Sequence, residues 1–212
     1  GTLVDVATKS EVQRPRLHAI WGLGQLVADK VQGSKFKVQS LAALRPLLAD
    51  ADAEVRAQAA KVLGDARDSA AGAAVTALLA DASPRVRHLA AIAIGKIRSP
   101  GAVPALVKLL EDNADKDAVL RHSGVMCLLG CADVRSIAAL KTNASPSVRI
   151  AAVVALRRLE RAEVSQFLAD SDGRVILAAG RAISEIPIPQ ALPALAALQP
   201  DFGKLTAEQR PA

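Results

Sequence analysis

The chain has 212 residues, of which 51% are hydrophobic, so it can bury a sizeable core and is not expected to be disordered. Aromatic residues make up only 2% while alanine is abundant, which favours closely packed helices over a sheet. No uninterrupted apolar run reaches the roughly 18 residues of a membrane span. The net charge of +6 invites a nucleic-acid interpretation, but one Trp, three Phe and no Tyr leave few rings for base stacking.

Helical periodicity and turn residues divide the chain into six helix pairs and a partial seventh. Neither end carries an obvious polar cap, so we expect residues 1–212 to be one domain that is part of a longer protein. The approximate repeats are residues 2–33, 36–66, 68–98, 100–131, 133–161, 162–186 and, in part, 187–212.

The clearest helix lies between Ser83 and Arg98. Ser83 is a typical N-cap residue and Pro84 follows at the first helical position, where its missing N–H costs nothing. Apolar residues then recur at helical spacing, which predicts one face that must be covered: Val86, Ala90, Ala93, Ile94 and Ile97.

The same pattern recurs when the chain is aligned on an arginine in each second helix. The aligned positions are 27 to 40 residues apart, which is the range of two-helix repeats, and they are Arg16, Arg56, Arg87, Arg121, Arg149 and Ile176. Four residues before the position stands a capping residue: Asp52, Ser83, Asp117, Ser145 or Asp172. Six residues before it stands Asp50, Asp81, Asp115, Asn143 or Asp170.

The paired helices, the Asp-x5-Arg spacing and the SPRVR and DAEVR openings resemble the HEAT-repeat family over nearly the whole chain. The resemblance implies an all-α, right-handed α-α superhelix (a solenoid) of about six HEAT repeats. It also implies a structural ladder of hydrogen-bonded Asp and Arg side chains, which ends before the sixth repeat because Ile176 replaces the arginine. The ladder would be made by Asp50 with Arg56, Asp81 with Arg87, Asp115 with Arg121 and, more weakly, Asn143 with Arg149.

The sequence gives no sign of catalytic, cofactor-binding or metal-binding residues. Cys127 and Cys131 fall on core positions of the repeat, so we expect buried structural thiols. His88 and His122 occupy equivalent positions of adjacent repeats, without the further ligands that a metal needs. The Gly22-x-Gly24 pair lies within a helix, which favours close helix packing over phosphate binding.

A row of side chains, one or two per repeat, is the more informative feature. It comprises Trp21, Gln25, Lys61, Ile92, Lys96, Met126 and Val154. If second helices line the concave surface, as in HEAT proteins, this row forms a semi-apolar groove suited to another protein or domain. The alternative is that these side chains pack against the neighbouring repeat, because apolar rows at helical spacing are usually core.

Three segments also resemble the HEAT portion of large bacterial membrane-bound-dehydrogenase-like, haem-binding CxxCH proteins: RLHAIWGLGQL, LRHSGVMCLLG and VRIAAVVALRRL. That resemblance implies a spacer arm between flanking domains of an exported redox protein, and otherwise the chain would be cytoplasmic. The chain itself has no CxxCH motif, so haem binding is not implied for it. We therefore predict a non-catalytic scaffold for another protein or for flanking domains, with nucleic-acid binding through a basic concave face as the alternative.

Overall fold

A computed structural model describes residues 2–28 and 33–198. They form α-helices and short 3-10 helices, and no strand occurs within these ranges. The α-helices are α1 Thr2–Lys9, α2 Gln13–Ala28, α3 Ser34–Leu44, α4 Ala53–Asp65, α5 Gly72–Ala77, α6 Pro84–Ile97, α7 Val103–Asn113, α8 Ala118–Cys131, α9 Val134–Ala139, α10 Pro146–Arg158, α11 Gly173–Glu185 and α12 Leu192–Ala196. The chain divides into two compact units, Gly1–Ala132 and Asp133–Ala212.

Second helices begin at the expected capping residues, but by two different arrangements. The carboxylates of Asp52, Asp117 and Asp172 accept backbone N–H groups of the first turn, as N-caps do. Ser83 and Ser145 stand at the N-cap position without a side-chain cap bond. The acidic caps therefore satisfy helix N–H groups that the serines do not.

Several first helices tighten at their ends. α3 ends at Leu44 and continues as the 3-10 helix Arg45–Ala49. The first helix expected at the start of the sixth repeat is entirely 3-10, Ala162–Phe167. Such tight turns let the chain reverse over a few residues and enter the capped second helix.

In the first unit, the second helices approach one another closely because glycines face small residues. A Cβ added to Gly64 of α4 would lie 2.5 Å from the Cα of Ala93 in α6. A Cβ on Gly95 of α6 would lie 2.8 Å from the Met126 carbonyl oxygen in α8, and one on Gly130 would overlap the Gly95 carbonyl. Neither place has room for a side chain, so α4, α6 and α8 pack nearly backbone to backbone.

The second unit has its own buried apolar core. Val148 and Leu156 of α10, Phe167 of the 3-10 helix and Ile183 of α11 are all fully or almost fully buried. Burial of such side chains is the main favourable contribution to folding. Across the described ranges, no helix is both long and apolar enough to cross a membrane.

Candidate binding surfaces

The row of side chains predicted from the sequence lies on the second helices and reaches solvent. In the first unit these residues form what we call the second-helix face: Trp21, Gln25, Lys61, Ile92, Lys96 and Met126. Trp21, Gln25, Lys61 and Lys96 are exposed, while Ile92 and Met126 are partly exposed. Val154 of the second unit is also partly exposed on α10. None of the seven is buried, so packing between repeats leaves part of each side chain accessible.

Trp21 is held in a defined orientation although its side chain is largely accessible. The residue is 42% exposed, and its Nε1–H donates to Oε1 of Gln58 at 2.9 Å. The ring of His18 meets the indole edge to face, with 5.2 Å between the ring centroids. An exposed indole fixed by a hydrogen bond and a ring contact loses little entropy on binding a partner.

Polar side chains on neighbouring second helices extend this arrangement. Gln58 donates to Glu54 at 2.7 Å, and Glu54 accepts two hydrogen bonds from Arg85. These contacts were not among the features predicted from the sequence. They could have been suggested by the register, because Glu54 and Arg85 each stand two residues before the aligned arginine of their repeat.

Lys61 and Lys96 project from neighbouring helices toward one carboxylate. Both ammonium groups bind Asp65, at 2.8 Å and 2.5 Å. Burial acts to raise the pKa of Asp65, but the hydrogen bonds from the two lysines outweigh it and the pKa is lowered. The two lysines and Asp65 together thus carry one net positive charge on this part of the second-helix face.

A groove of about 430 Å³ opens beside Trp21. Its walls come from α2, α3 and α4, and they include three residues of the predicted row: Trp21, Gln25 and Lys61. Leu41 and Val62 contribute apolar surface to it. The groove is large enough for one or two side chains of a partner and combines an apolar wall with a charged edge.

The aligned arginines make a second feature, which we describe as rungs: each rung is an arginine and the carboxylate that its guanidinium binds. In the Arg56 rung, Nη1 donates to the backbone carbonyls of Asp50 and Ala51 in its own turn. Nε and Nη2 bind both oxygens of Asp81, which belongs to the next repeat, at 2.8 Å and 2.9 Å. The side-chain bond thus joins successive repeats, while the Asp-x5-Arg pair within a repeat meets through a backbone carbonyl.

The Arg149 rung of the second unit repeats this geometry. Nη1 donates to the carbonyls of Asn143 and Ala144, and the other edge binds Asp170 at 2.7 Å and 2.9 Å. The two side chains are 8% and 6% exposed. Arg16 also binds both oxygens of Asp50, but through Nη1 and Nη2, while its Nε donates to the carbonyl of Ala7.

These pairings lower the pKa of the carboxylates. For Asp81 the hydrogen bond from Arg56 is the largest cause, and burial opposes it. For Asp170 burial acts most strongly, to raise the pKa, but the bonds from Arg149 and from the backbone N–H of Asp172 together lower it. Asp81 and Asp170 are therefore held in the charged form that the arginines require.

Repeat four departs from this geometry. α7 continues as an α-helix to Asn113, and Ala114 and Asp115 follow in the left-handed region with φ of 44° and 65°. At the corresponding positions, Asp50 and Asp81 are extended residues directly after a 3-10 turn. Asp115 is displaced as a result, and its carboxylate binds Arg121 of its own repeat at 2.8 Å.

Asn113 takes the position that an aspartate holds in repeats two, three and six, and that Asn143 holds in repeat five. Its Oδ1 accepts the backbone N–H of the N-cap residue Asp117 at 3.1 Å, just as Asp81 accepts that of Ser83. A neutral, buried amide therefore stands where Arg87 would meet a carboxylate. Arg87 binds only the backbone carbonyls of Asp81 and Ala82, at 2.7 Å and 3.0 Å, among the described residues.

Both cysteines and His88 contact other groups of the protein. Cys127 and Cys131 are buried with 3.9 Å between their sulfur atoms, and Cys131 contacts the Ile94 carbonyl. His88 Nδ1 lies 2.5 Å from the Ser123 hydroxyl, and burial is the main cause that lowers its pKa. Within residues 2–28 and 33–198, no cluster of His, Cys, Asp and Glu has the arrangement of a metal site.

Comparison with known proteins agrees with the repeat architecture. Residues 41–128 match a family model described as HEAT repeats, and no curated protein sequence matches the chain. One similar solved structure is the complex of CpcE and CpcF of phycocyanin lyase from Nostoc sp. PCC7120. It has 20% identity and a TM-score of 0.58, and the match covers 98% of this chain and 89% of that one.

Two engineered proteins are similar in the same way. Each is 18% identical, with TM-scores of 0.54 and 0.53. The matches cover 92% and 88% of this chain, and 95% and 99% of the engineered chains. At these identities the likeness shows the fold alone. Residues 41–128 are therefore similar to HEAT repeats, and the described residues have an all-helical repeat fold.

Proposed function

We propose that the chain is a non-catalytic scaffold whose second-helix face binds another protein or a flanking domain of the same chain. The observation that carries this proposal is Trp21, which is 42% exposed yet fixed by Gln58 and His18 at the edge of a groove. Exposed tryptophans beside pockets are frequent hot spots of protein interfaces. Repeat solenoids commonly use such extended surfaces for protein interaction.

The chemistry of the face suggests the kind of partner. An apolar side chain of the partner fits the groove beside Trp21, where Leu41 and Val62 supply apolar walls. Lys61 and Lys96 share a single carboxylate, so an acidic group of the partner would be attracted to this margin. A polypeptide with an apolar anchor next to an acidic residue satisfies both parts.

Nucleic-acid binding finds less support in the same surface. Arg85 is committed to Glu54, and Asp65 neutralises half of the charge of Lys61 and Lys96. The predicted basic concave face would need unpaired cations in a continuous stripe. On α4 and α6, Lys61, Lys96 and Arg85 are instead each paired with a neighbouring carboxylate, that of Asp65 or Glu54.

Site-specific photo-crosslinking tests the proposal. A photoreactive residue is placed at Gln25 or Ile92 of the second-helix face and, as a matched control, at the exposed Ala74 on the first helix α5. We expect a discrete partner to crosslink at the first two positions and not at Ala74. Equal crosslinking at all three positions would show that the face is not selective.

The single tryptophan provides a second readout with the purified partner. Binding beside Trp21 should shift its fluorescence emission, because the partner would displace water from the exposed indole. The variant W21A should reduce crosslinking at Ile92 while the helical circular dichroism is retained. An unchanged emission at saturating partner would exclude the groove as the contact.

A finer form of the proposal is that the partner is a flanking domain, with the chain as the spacer arm of a larger exported redox protein. Its support is the resemblance of the RLHAIWGLGQL, LRHSGVMCLLG and VRIAAVVALRRL segments to such proteins. The length of the native open reading frame tests it. Propeller and CxxCH domains on either side would favour the spacer arm, and a free-standing repeat protein would refute it.

A further inference from the structure

We propose that Arg87 binds a carboxylate group of a peptide ligand in the cleft between the third and fourth repeats. We call this the Arg87 cleft; it has a volume of about 590 Å³ and lies entirely within the first unit. Its lining includes Thr76, Asp81, Arg87, Asn113, Lys116 and Leu120. The proposal does not depend on the second-helix face.

Half of the geometry by which Arg56 and Arg149 bind a carboxylate is already present at Arg87. Its Nη1 makes the same two backbone bonds that Nη1 makes in Arg56 and Arg149. In those two arginines the opposite edge, Nε with Nη2, binds a carboxylate in a bidentate fork. At Arg87 this edge has no acceptor within the described part of the chain, although the guanidinium is anchored in the same way.

The carboxylates around the cleft already have other partners. Asp81 is bound to Arg56, and Asp112 to Lys108. Asp117 caps its own helix by accepting the N–H groups of Val119 and Leu120. The cleft thus offers Arg87 no spare acceptor, and an incoming ligand would not have to displace an existing ion pair.

The walls of the cleft combine apolar and cationic side chains. Ala77, Leu79, Ala105, Leu109 and Leu120 supply apolar surface, and Lys116 adds a second cation. A planar guanidinium edge matches the two oxygens of a carboxylate, and removal from bulk water strengthens such a bond. The cleft is therefore suited to an acidic side chain or a C-terminal carboxylate that is flanked by small apolar residues.

Nuclear magnetic resonance of the arginine Nε–H groups in the full chain tests this directly. The probes are acetyl-Ala-Asp-Ala-amide, acetyl-Ala-Ala-Ala with a free C-terminal carboxylate, and the neutral acetyl-Ala-Asn-Ala-amide. We expect the Arg87 resonance to move saturably with the carboxylate peptides and not with the neutral one. The stronger of the two carboxylate peptides identifies the source of the group.

The other arginines serve as internal controls in the same spectra. The Nε–H groups of Arg56 and Arg149 already bind carboxylates, so their resonances should stay in place. The variant R87Q should weaken peptide binding at least about tenfold, since a charge-assisted fork is lost. R85Q makes the same charge change on the same helix and should leave the affinity unchanged.

Clear results would overturn the proposal. They are an Arg87 resonance that does not move in the wild-type chain, an equal shift with the neutral peptide or with inorganic phosphate, or an equal loss of binding in R85Q. The wild-type titration needs no variant, so it decides the question even if R87Q fails to fold.

Discussion

Arg56 and Arg87 occupy equivalent positions in successive repeats and differ in only one hydrogen-bond partner. Both guanidiniums are anchored by two backbone carbonyls of their own turn, but only Arg56 also binds a carboxylate of the next repeat. The difference arises in the loop after α7, where the left-handed residues Ala114 and Asp115 displace the aspartate. The boundary between repeats two and three is thus joined by an ion pair, while at the next boundary the Nε and Nη2 edge of Arg87 borders a cleft and has no acceptor within residues 2–28 and 33–198.

Replacing each arginine by alanine should give the largest difference in the free energy of unfolding between the two boundaries. We expect R56A to lower the free energy of unfolding by about 3 kcal/mol, because Asp81 would stay largely buried without a partner. R87A should cost only about 1 kcal/mol, since it loses bonds to carbonyls that water can replace. Urea denaturation followed by circular dichroism measures both. Equal losses would mean that the carboxylate adds nothing to the rung.

Placing a carboxylate beside Arg87 should change the free energy of unfolding by less, and should raise it. N113D puts an acidic group at the position that Asp81 occupies one repeat earlier, beside Arg87 in the same cleft. We expect a gain of about 1 kcal/mol in the free energy of unfolding, because the new ion pair outweighs the lost bond from Nδ2 of Asn113 to the Asp117 carbonyl. The reverse change D81N should destabilise. If N113D also destabilises, the two positions are not equivalent.

Of these changes, a lower pH should alter the free energy of unfolding least, and at these two boundaries it should act only through the Arg56–Asp81 ion pair. The pKa of Asp81 is lowered by Arg56, whereas an aspartate in an unfolded chain titrates near about 3.9. The unfolded state therefore binds a proton first, so this stabilisation is fully present above about pH 4 and is lost as the pH falls through the native pKa. Denaturation between pH 6 and 3 should be less steeply pH-dependent in D81N than in the wild type. Identical profiles would contradict this.

The repeat pattern could be predicted from the sequence because it depends on local features. Cap residues, apolar spacing and the aligned arginines repeat in the chain itself, and the structure places second helices there. The same register predicted the second-helix face, whose six residues all reach solvent. An internal repeat thus provides information about exposure that a single helix would not.

The missing ion pair at Arg87 was only partly visible in the sequence. Asp115 has the same spacing to Arg121 as Asp81 has to Arg87, which hides the change. The last leucine of the first helix, however, lies eleven residues before the aligned arginine in repeat four (Leu110) and eight before it in repeats two and three (Leu48 and Leu79), so the loop is three residues longer. This length indicates a changed loop but does not reveal which side chain takes the place of the carboxylate. Side-chain pairing between repeats, such as Arg56 with Asp81, also joins residues 25 positions apart, and spacing within one repeat does not reveal it.

The close contacts between second helices limit how the chain could be rearranged. The residue eight positions after the aligned arginine lies against a small or β-branched residue of the following helix: Gly24 against Val62, Gly64 against Ala93. In repeat five that position is Arg157, which binds Glu185. A chimera with repeat five in place of repeat two would direct an arginine side chain at the backbone of Ala93. The repeats are therefore not interchangeable modules, and shuffling them would require their small residues to move with them.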